Sequence, residues 1–314
     1  MLSAAPEPAT RSSHMTCPVK IGSSLLFRTS AVICFIFSGH LIAASLSGAA
    51  EQTIAPLPSG PGQTIAPLPS VTRQTIAPPP AGIQAFHPGE TLTYDVSWSS
   101  MFSAGTVTMT VERSELPDDR EGLMFVVRGR TRGLVDKVFP VNDEVRSVFD
   151  PLLMKSLSYS LRESYGKKKR LRVTEFDHSK KTAVCRLNED PPETLTIPDP
   201  VQDGLSLLYF LRTKEDLAIG RQMDIDIVDS GKNWTVEVSI LAREKVAVAA
   251  GEFDTIKIRI SPREKGGSLK KGEVVLWLTD DDRKVPVLMK SKIKVGSFVF
   301  ELADMKPGTH TTMQ

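Results

Sequence analysis

The chain has 314 residues, and 39 Lys and Arg against 37 Asp and Glu leave a net charge of only +2. A balance this close carries no nucleic-acid footprint. Of its three cysteines, Cys17 and Cys34 fall in the leader described next. Cys185 is then alone in the folded part, which excludes an internal disulfide there.

Lys20 and Arg28 precede the apolar run 31–46 (AVICFIFSGHLIAASL), and small residues 47–50 follow it. A basic start, a short apolar core and a small-residue end make residues 1–50 a secretory signal peptide, with cleavage expected near Ala50. The polar stretch before Met15 reads as an over-extended start. Ser38, Gly39 and His40 interrupt the apolar core, which argues against a permanent anchor. Ile33 before Cys34 argues against lipidation.

Residues 51–85 form a Pro-rich linker. QTIAPLP at 52–58 recurs unchanged at 63–69 and as QTIAPPP at 74–80, a period of eleven. Such proline density favours a semi-rigid polyproline II spacer. The competing reading is a Pro-rich ligand for an envelope protein partner.

From Phe86 the hydrophobic period becomes two, and 86–305 is expected to be one β domain followed by a disordered tail, 306–314. Strands are expected at 91–98, 106–113, 123–130, 141–149, 153–163, 168–177 and 181–187. The stretch 197–212, IPDPVQDGLSLLYFLR, breaks this pattern: Leu205, Leu208 and Leu211 recur at helical spacing after Gln202 or Asp203. Strands resume at 222–229, 232–242, 245–249, 253–260, 272–279, 285–292 and 297–304, with Ser230-Gly231 and Asp280–Asp282 at hairpin tips. The fold class is mainly β, an antiparallel barrel-like or strongly curved meander sheet with one helix packed on or in it.

FHPGETLTYDVSW (86–98), the Gly105 strand, IPDPVQDGLSLLYFLR, GKNWTVEV (231–238), AGEFDTIKI (250–258) and VVLWLTDDDRKVPV (274–287) resemble the exported bacterial proteins grouped as domain of unknown function 3108. The positions that carry the likeness are Trp98, Gly105, Asp199, Asp203, Tyr209, Gly251, Phe253, Trp277, Asp280 and Pro286. The resemblance implies an envelope protein with a β-rich fold, and no reaction or catalytic residue comes with it. The QTIAP spacer is not part of that pattern.

No metal or cofactor is expected: after the leader the histidines are only His87, His178 and His310, without paired spacing. Asp199 and Asp203 have two readings, an acid/base pair of a hydrolase acting on envelope polymers, or a turn and a helix cap; the second is preferred. Asp280–Asp282 read as a solvated turn in preference to a calcium site, and Cys185 as a small packing residue in preference to a nucleophile. GKKKRLR (166–172) reads as a charged, solvated strand edge in preference to a contact for anionic headgroups or polysaccharide. Tyr94, Trp98, Tyr209, Trp234 and Trp277 are the candidate lining of an apolar pocket if the barrel is too wide to fill. The resulting expectation is a non-catalytic protein exported to the periplasm of a Gram-negative bacterium. It binds a lipid-like or other amphipathic envelope molecule, or aids envelope assembly; the alternatives are an interaction module without ligand and the hydrolase.

Overall fold

The structure is a computed structural model, and it describes residues 85–99, 102–138, 140–165, 168–264, 273–292 and 297–309. The signal peptide, the QTIAP repeats and His310 lie outside the described residues.

The expected alternation becomes a single fifteen-stranded sheet. In chain order the strands are β1 (Thr91–Trp98), β2 (Phe102–Glu115), β3 (Glu121–Thr131), β4 (Asn142–Asp150), β5 (Lys155–Tyr165), β6 (Lys168–Asp177), β7 (Thr182–Leu187), β8 (Glu193–Thr196) and β9 (Gln202–Asp203). Then follow β10 (Gln222–Asp229), β11 (Lys232–Val248), β12 (Gly251–Glu264), β13 (Glu273–Thr279), β14 (Pro286–Lys292) and β15 (Ser297–Lys306). Helix α1 (Gly133–Val138) joins β3 to β4, and α2 (Gly204–Arg212) follows β9.

Spatial order is β8-β7-β6-β5-β4-β3-β2-β1-β15-β14-β13-β12-β11-β10-β9. Two meanders are thus joined where the first strand meets the last, with Val96 opposite Phe300 and Trp98 opposite Phe298. The sheet curves strongly but does not close through a backbone ladder. Its two edges are bridged by side chains instead. Asn233 on β11 donates to the Thr196 carbonyl at 2.8 Å, and Gln202 on β9 donates to the Met154 carbonyl at 2.7 Å.

Period-two patterning sets the two faces. On β1, Leu92, Tyr94 and Val96 are buried; on β11, Trp234, Val236, Val238 and Ile240 are. These residues join one continuous core along the inner face. The pairs expected at 232–242 and 245–249 are one strand, β11, interrupted by a register shift between Ile240 and Ala242. The extra residue sharpens the bend and lets the β11–β12 hairpin turn back toward β15, where the Ala250 N–H reaches the Leu302 carbonyl at 3.0 Å. Gly105 allows β2 and β3 to approach: a Cβ there would collide with the Arg130 carbonyl. Within GKKKRLR, Lys168, Lys169 and Arg170 pair with β5 alone, because the β6–β7 ladder begins only at Arg172. This stretch is therefore the charged strand edge the sequence suggests; residues 166 and 167 lie outside the described residues.

Helix α2 starts where the sequence places it, with Asp203 as its N-cap. The Asp203 carboxylate accepts from the N–H groups of Leu205 and Ser206, and the Ser206 hydroxyl accepts in return from the Asp203 N–H. All of its residues but Phe210 are buried. Burying each of Leu205, Leu208 and Leu211 is worth about 1.5–3 kcal/mol, more than enough to hold a nine-residue helix that would not survive alone.

Candidate functional site

Because successive strands are antiparallel, apart from the short β9 that lies parallel to β10, the connections alternate between two ends of the barrel. One end holds the connections 116–120, 151–154, 178–181, 249–250 and 280–285, together with residues 85–90. Helix α2 runs into this end, and its last residue fastens it. The buried Arg212 guanidinium donates to both carboxylate oxygens of Glu90 (2.6 and 2.8 Å), to the Ala85 carbonyl (2.8 Å) and to the Arg283 carbonyl (3.0 Å). It also lies 5.1 Å from the Phe86 ring centroid and 5.4 Å from that of Tyr209. Tyr209 stacks on Phe125 at 3.7 Å with the rings nearly parallel, and Phe86 meets both edge-on. Entry strand, helix and the β13–β14 turn are therefore tied at one point.

The start of α2 is equally anchored. One oxygen of the fully buried Asp203 takes the two helix N–H groups, and the other takes the hydroxyls of Ser147 (2.6 Å) and Ser156 (2.5 Å). Burial raises its carboxyl against these hydrogen bonds, which pull it down. Four donors use up its accepting capacity. Asp199 turns elsewhere: Lys155 at 2.7 Å and His178 at 3.2 Å reach its Oδ1, and the hydrogen bond from Lys155 holds its carboxyl below the usual range. His178 also contacts the Ser156 carbonyl at 2.7 Å. Asp199 and Asp203 thus take different direct partners and share no hydrogen bond, meeting only through Ser156, whose hydroxyl serves Asp203 and whose carbonyl contacts His178. The cap reading of Asp203 holds. At the β13–β14 turn, Asp281 accepts from the N–H groups of Arg283 and Lys284 and from the Thr279 hydroxyl, so this acidic tip shapes a turn.

The five aromatic candidates do not converge. Tyr94 is fully buried, with its hydroxyl donating to the Pro286 carbonyl at 2.7 Å, and it shares the helix end of the core with Tyr209. Burial pushes both phenols up. Trp98 lies half-buried at the opposite end, its ring 6.3 Å from that of Phe102. Trp234 faces inward from β11 and donates to the Asp229 carbonyl at 3.2 Å. Trp277 is on the outer face: its indole N–H donates to Glu244 at 2.6 Å, with the Lys257 and Lys290 ammonium groups 5.0 and 5.4 Å from its ring. Three recesses among the described residues measure about 470, 10 and 400 Å³, and none of these five residues lines any of them. The first lies beside Glu90 and Arg113, the second within the β1–β3 wall, and the third beside Thr131 and Asn142.

Inward charges that sequence reasoning missed lie toward the end opposite the Glu90–Arg212 pair. Asp143 on β4 accepts from the Ser164 N–H at 2.8 Å, and continuing the β4–β5 register puts it opposite the buried Glu163. Burial pushes the Asp143 carboxyl up to about 7, the Ser164 N–H opposes this, and Glu163 adds to it. Asp229 is likewise raised to about 7 by burial, against the pull of Arg172. Alternation was the one available signal: each stands at an inward position of its strand. Among the described residues, no group of three or more His, Cys, Asp or Glu could hold a metal ion.

Among solved structures, the chain is similar to a beta-barrel-like protein of domain of unknown function DUF1849 from Brucella abortus. That match has 11% identity and a TM-score of 0.53, and covers 71% of this chain and 99% of that one. It is a likeness of fold. A protein with a YmcC-like fold from Bacteroides fragilis matches at 13% identity over 70% of this chain and 98% of that one, with a TM-score of 0.28. No curated protein matches. The family model for proteins of unknown function DUF3108 matches residues 93–303, and the chain belongs to that family.

Proposed function

We propose that the chain is an exported module of the cell envelope that aids envelope assembly through its outer surface, with the barrel as a filled scaffold. Export rests on the leader pattern of residues 1–50 and the spacer of residues 51–85. The observation that carries the scaffold reading is the helix end of the barrel. There Tyr94, Phe86, Phe125, Tyr209 and Arg212 are each at most 2% exposed, and they occupy the space in which an internal ligand would lie. Asp203, the one carboxylate of the proposed hydrolase pair that is buried, has its oxygens taken by structural donors.

Native mass spectrometry of the chain purified after export from a bacterial host tests this reading. The expected spectrum shows the protein mass alone. One amphiphile per chain, retained through purification and released by organic solvent, would overturn the scaffold reading in favour of a carrier.

A further inference from the structure

The end of the barrel opposite the Glu90–Arg212 lock has, among the described residues, an uneven charge distribution. Strand alternation brings the β1–β2 turn, α1 and the β5–β6 turn to this end in succession. With neighbouring strands about 4.8 Å apart, they span an arc on the order of 20 Å. Phe102 stands here 55% exposed, its ring beside that of Trp98. Arg132, Lys137, Lys168, Lys169 and Arg170 are exposed on the same arc. The one acidic residue of α1, Asp136, accepts the Thr131 hydroxyl at 2.8 Å. Further round the end, the β7–β8 turn carries Glu189 and Asp190, so the basic arc has a boundary.

We propose that this arc is a docking surface for an anionic phospholipid bilayer. The proposal rests on the reading above, that the protein works through its exterior, and names the partner. An exposed aromatic residue flanked by cations matches an interface whose headgroups are negative and whose acyl boundary is apolar. The cations draw the arc to the surface, and Phe102 enters the boundary. An acidic polysaccharide or an acidic protein would satisfy the cations but would leave Phe102 without a function. The fold supports this geometry. The ladder to β5 (Tyr165 opposite Lys168, Ser164 opposite Lys169, Glu163 opposite Arg170) holds the cations in place, and their other side is a strand edge not covered by β7. The Glu90–Arg212 lock and α2 occupy the far end.

The test is co-sedimentation of the chain, as processed by a bacterial host, with vesicles of phosphatidylglycerol and phosphatidylethanolamine, and with phosphatidylcholine vesicles as reference. The parent protein is expected to sediment with the anionic vesicles and to be released by salt. Reversing three cations together (Lys168→Glu, Lys169→Glu and Arg170→Glu) is expected to weaken partitioning by at least about tenfold, since each cation near an anionic surface counts separately. Phe102→Ser alone is expected to weaken it severalfold with the salt dependence unchanged, and circular dichroism verifies that both variants fold. Equal binding to both vesicle types, undiminished binding by both variants, or binding to soluble heparin with none to vesicles would each overturn the proposal. None of these outcomes depends on whether an amphiphile occupies the interior, so the scaffold reading stands or falls separately.

Discussion

Replacing Arg212 by methionine would remove the fastening of the helix end while keeping most of the buried volume. Glu90 would be left as a buried carboxylate without its bidentate partner, and the Ala85 and Arg283 carbonyls would lose their donor. Breaking one side of a buried ion pair costs about 3–5 kcal/mol. For a domain of this size each kcal/mol moves the melting temperature by ~2–4 °C, so the expected fall is about 6–20 °C. The double variant Arg212→Met with Glu90→Gln separates the charge from the packing. Because a buried pair replaced on both sides is often nearly neutral, the double is expected to regain at least about 1.5 kcal/mol over the sum of the singles. Urea unfolding of the parent, the two singles and the double provides the four energies. A loss under about 1 kcal/mol for Arg212→Met, or additivity of the two changes within about 0.5 kcal/mol, would refute the argument that this pair holds the helix end together.

Three further outcomes follow from the buried polar groups. The Asp143 carboxyl, raised to about 7, binds its proton more tightly folded than unfolded; its stabilising effect is complete below about pH 4 and is lost as pH rises through about 7. Asp143→Asn is therefore expected to gain on the parent between pH 5 and pH 8, by at most about 4 kcal/mol, and an identical difference at both pH values in urea titrations would contradict this. Asp203→Ala strips α2 of its cap and leaves two serine hydroxyls in the core without their acceptor. It should cost at least about 2 kcal/mol in the same assay, and a loss below about 0.5 kcal/mol would show that the cap contributes little. Cys185 is buried, and burial raises its thiol, so peptide mapping after alkylation should find it modified only in denaturant. Rapid labelling of the native protein would mean that the β6–β8 region opens.

The local features were legible and the convergent ones were not. Two prolines, an aspartate and leucines at helical spacing mark α2 and its cap because capping acts within four residues. Turns such as Ser230-Gly231 carry their own backbone demand, with Ser230 and Gly231 both at positive φ (54° and 72°). Helix α1, GLVDKV, spans six residues and is too short to show a period. Trp277 misled for a different reason: β13 reads VVLWL and is buried on both faces, so alternation could not say which face was inner. Glu90 and Arg212, 122 positions apart, meet only through the fold. The same holds for the rim, where Phe102 and Lys168–Arg170 lie far apart in sequence and come to one end because strand connections alternate.

The pairing of β1 with β15 fixes an order of events. Each meander can zip from local contacts as soon as its strands exist, so β1 through β8 can assemble early. The strand that joins the halves comes after the other fourteen described strands in the chain, yet it occupies the middle of the sheet. Until residues 297–306 arrive, β1 and β14 both present bare edges able to pair with another chain. A chain cut short by only its final strand therefore loses the seam between two otherwise formed halves, and the incomplete molecule is left with two adhesive edges.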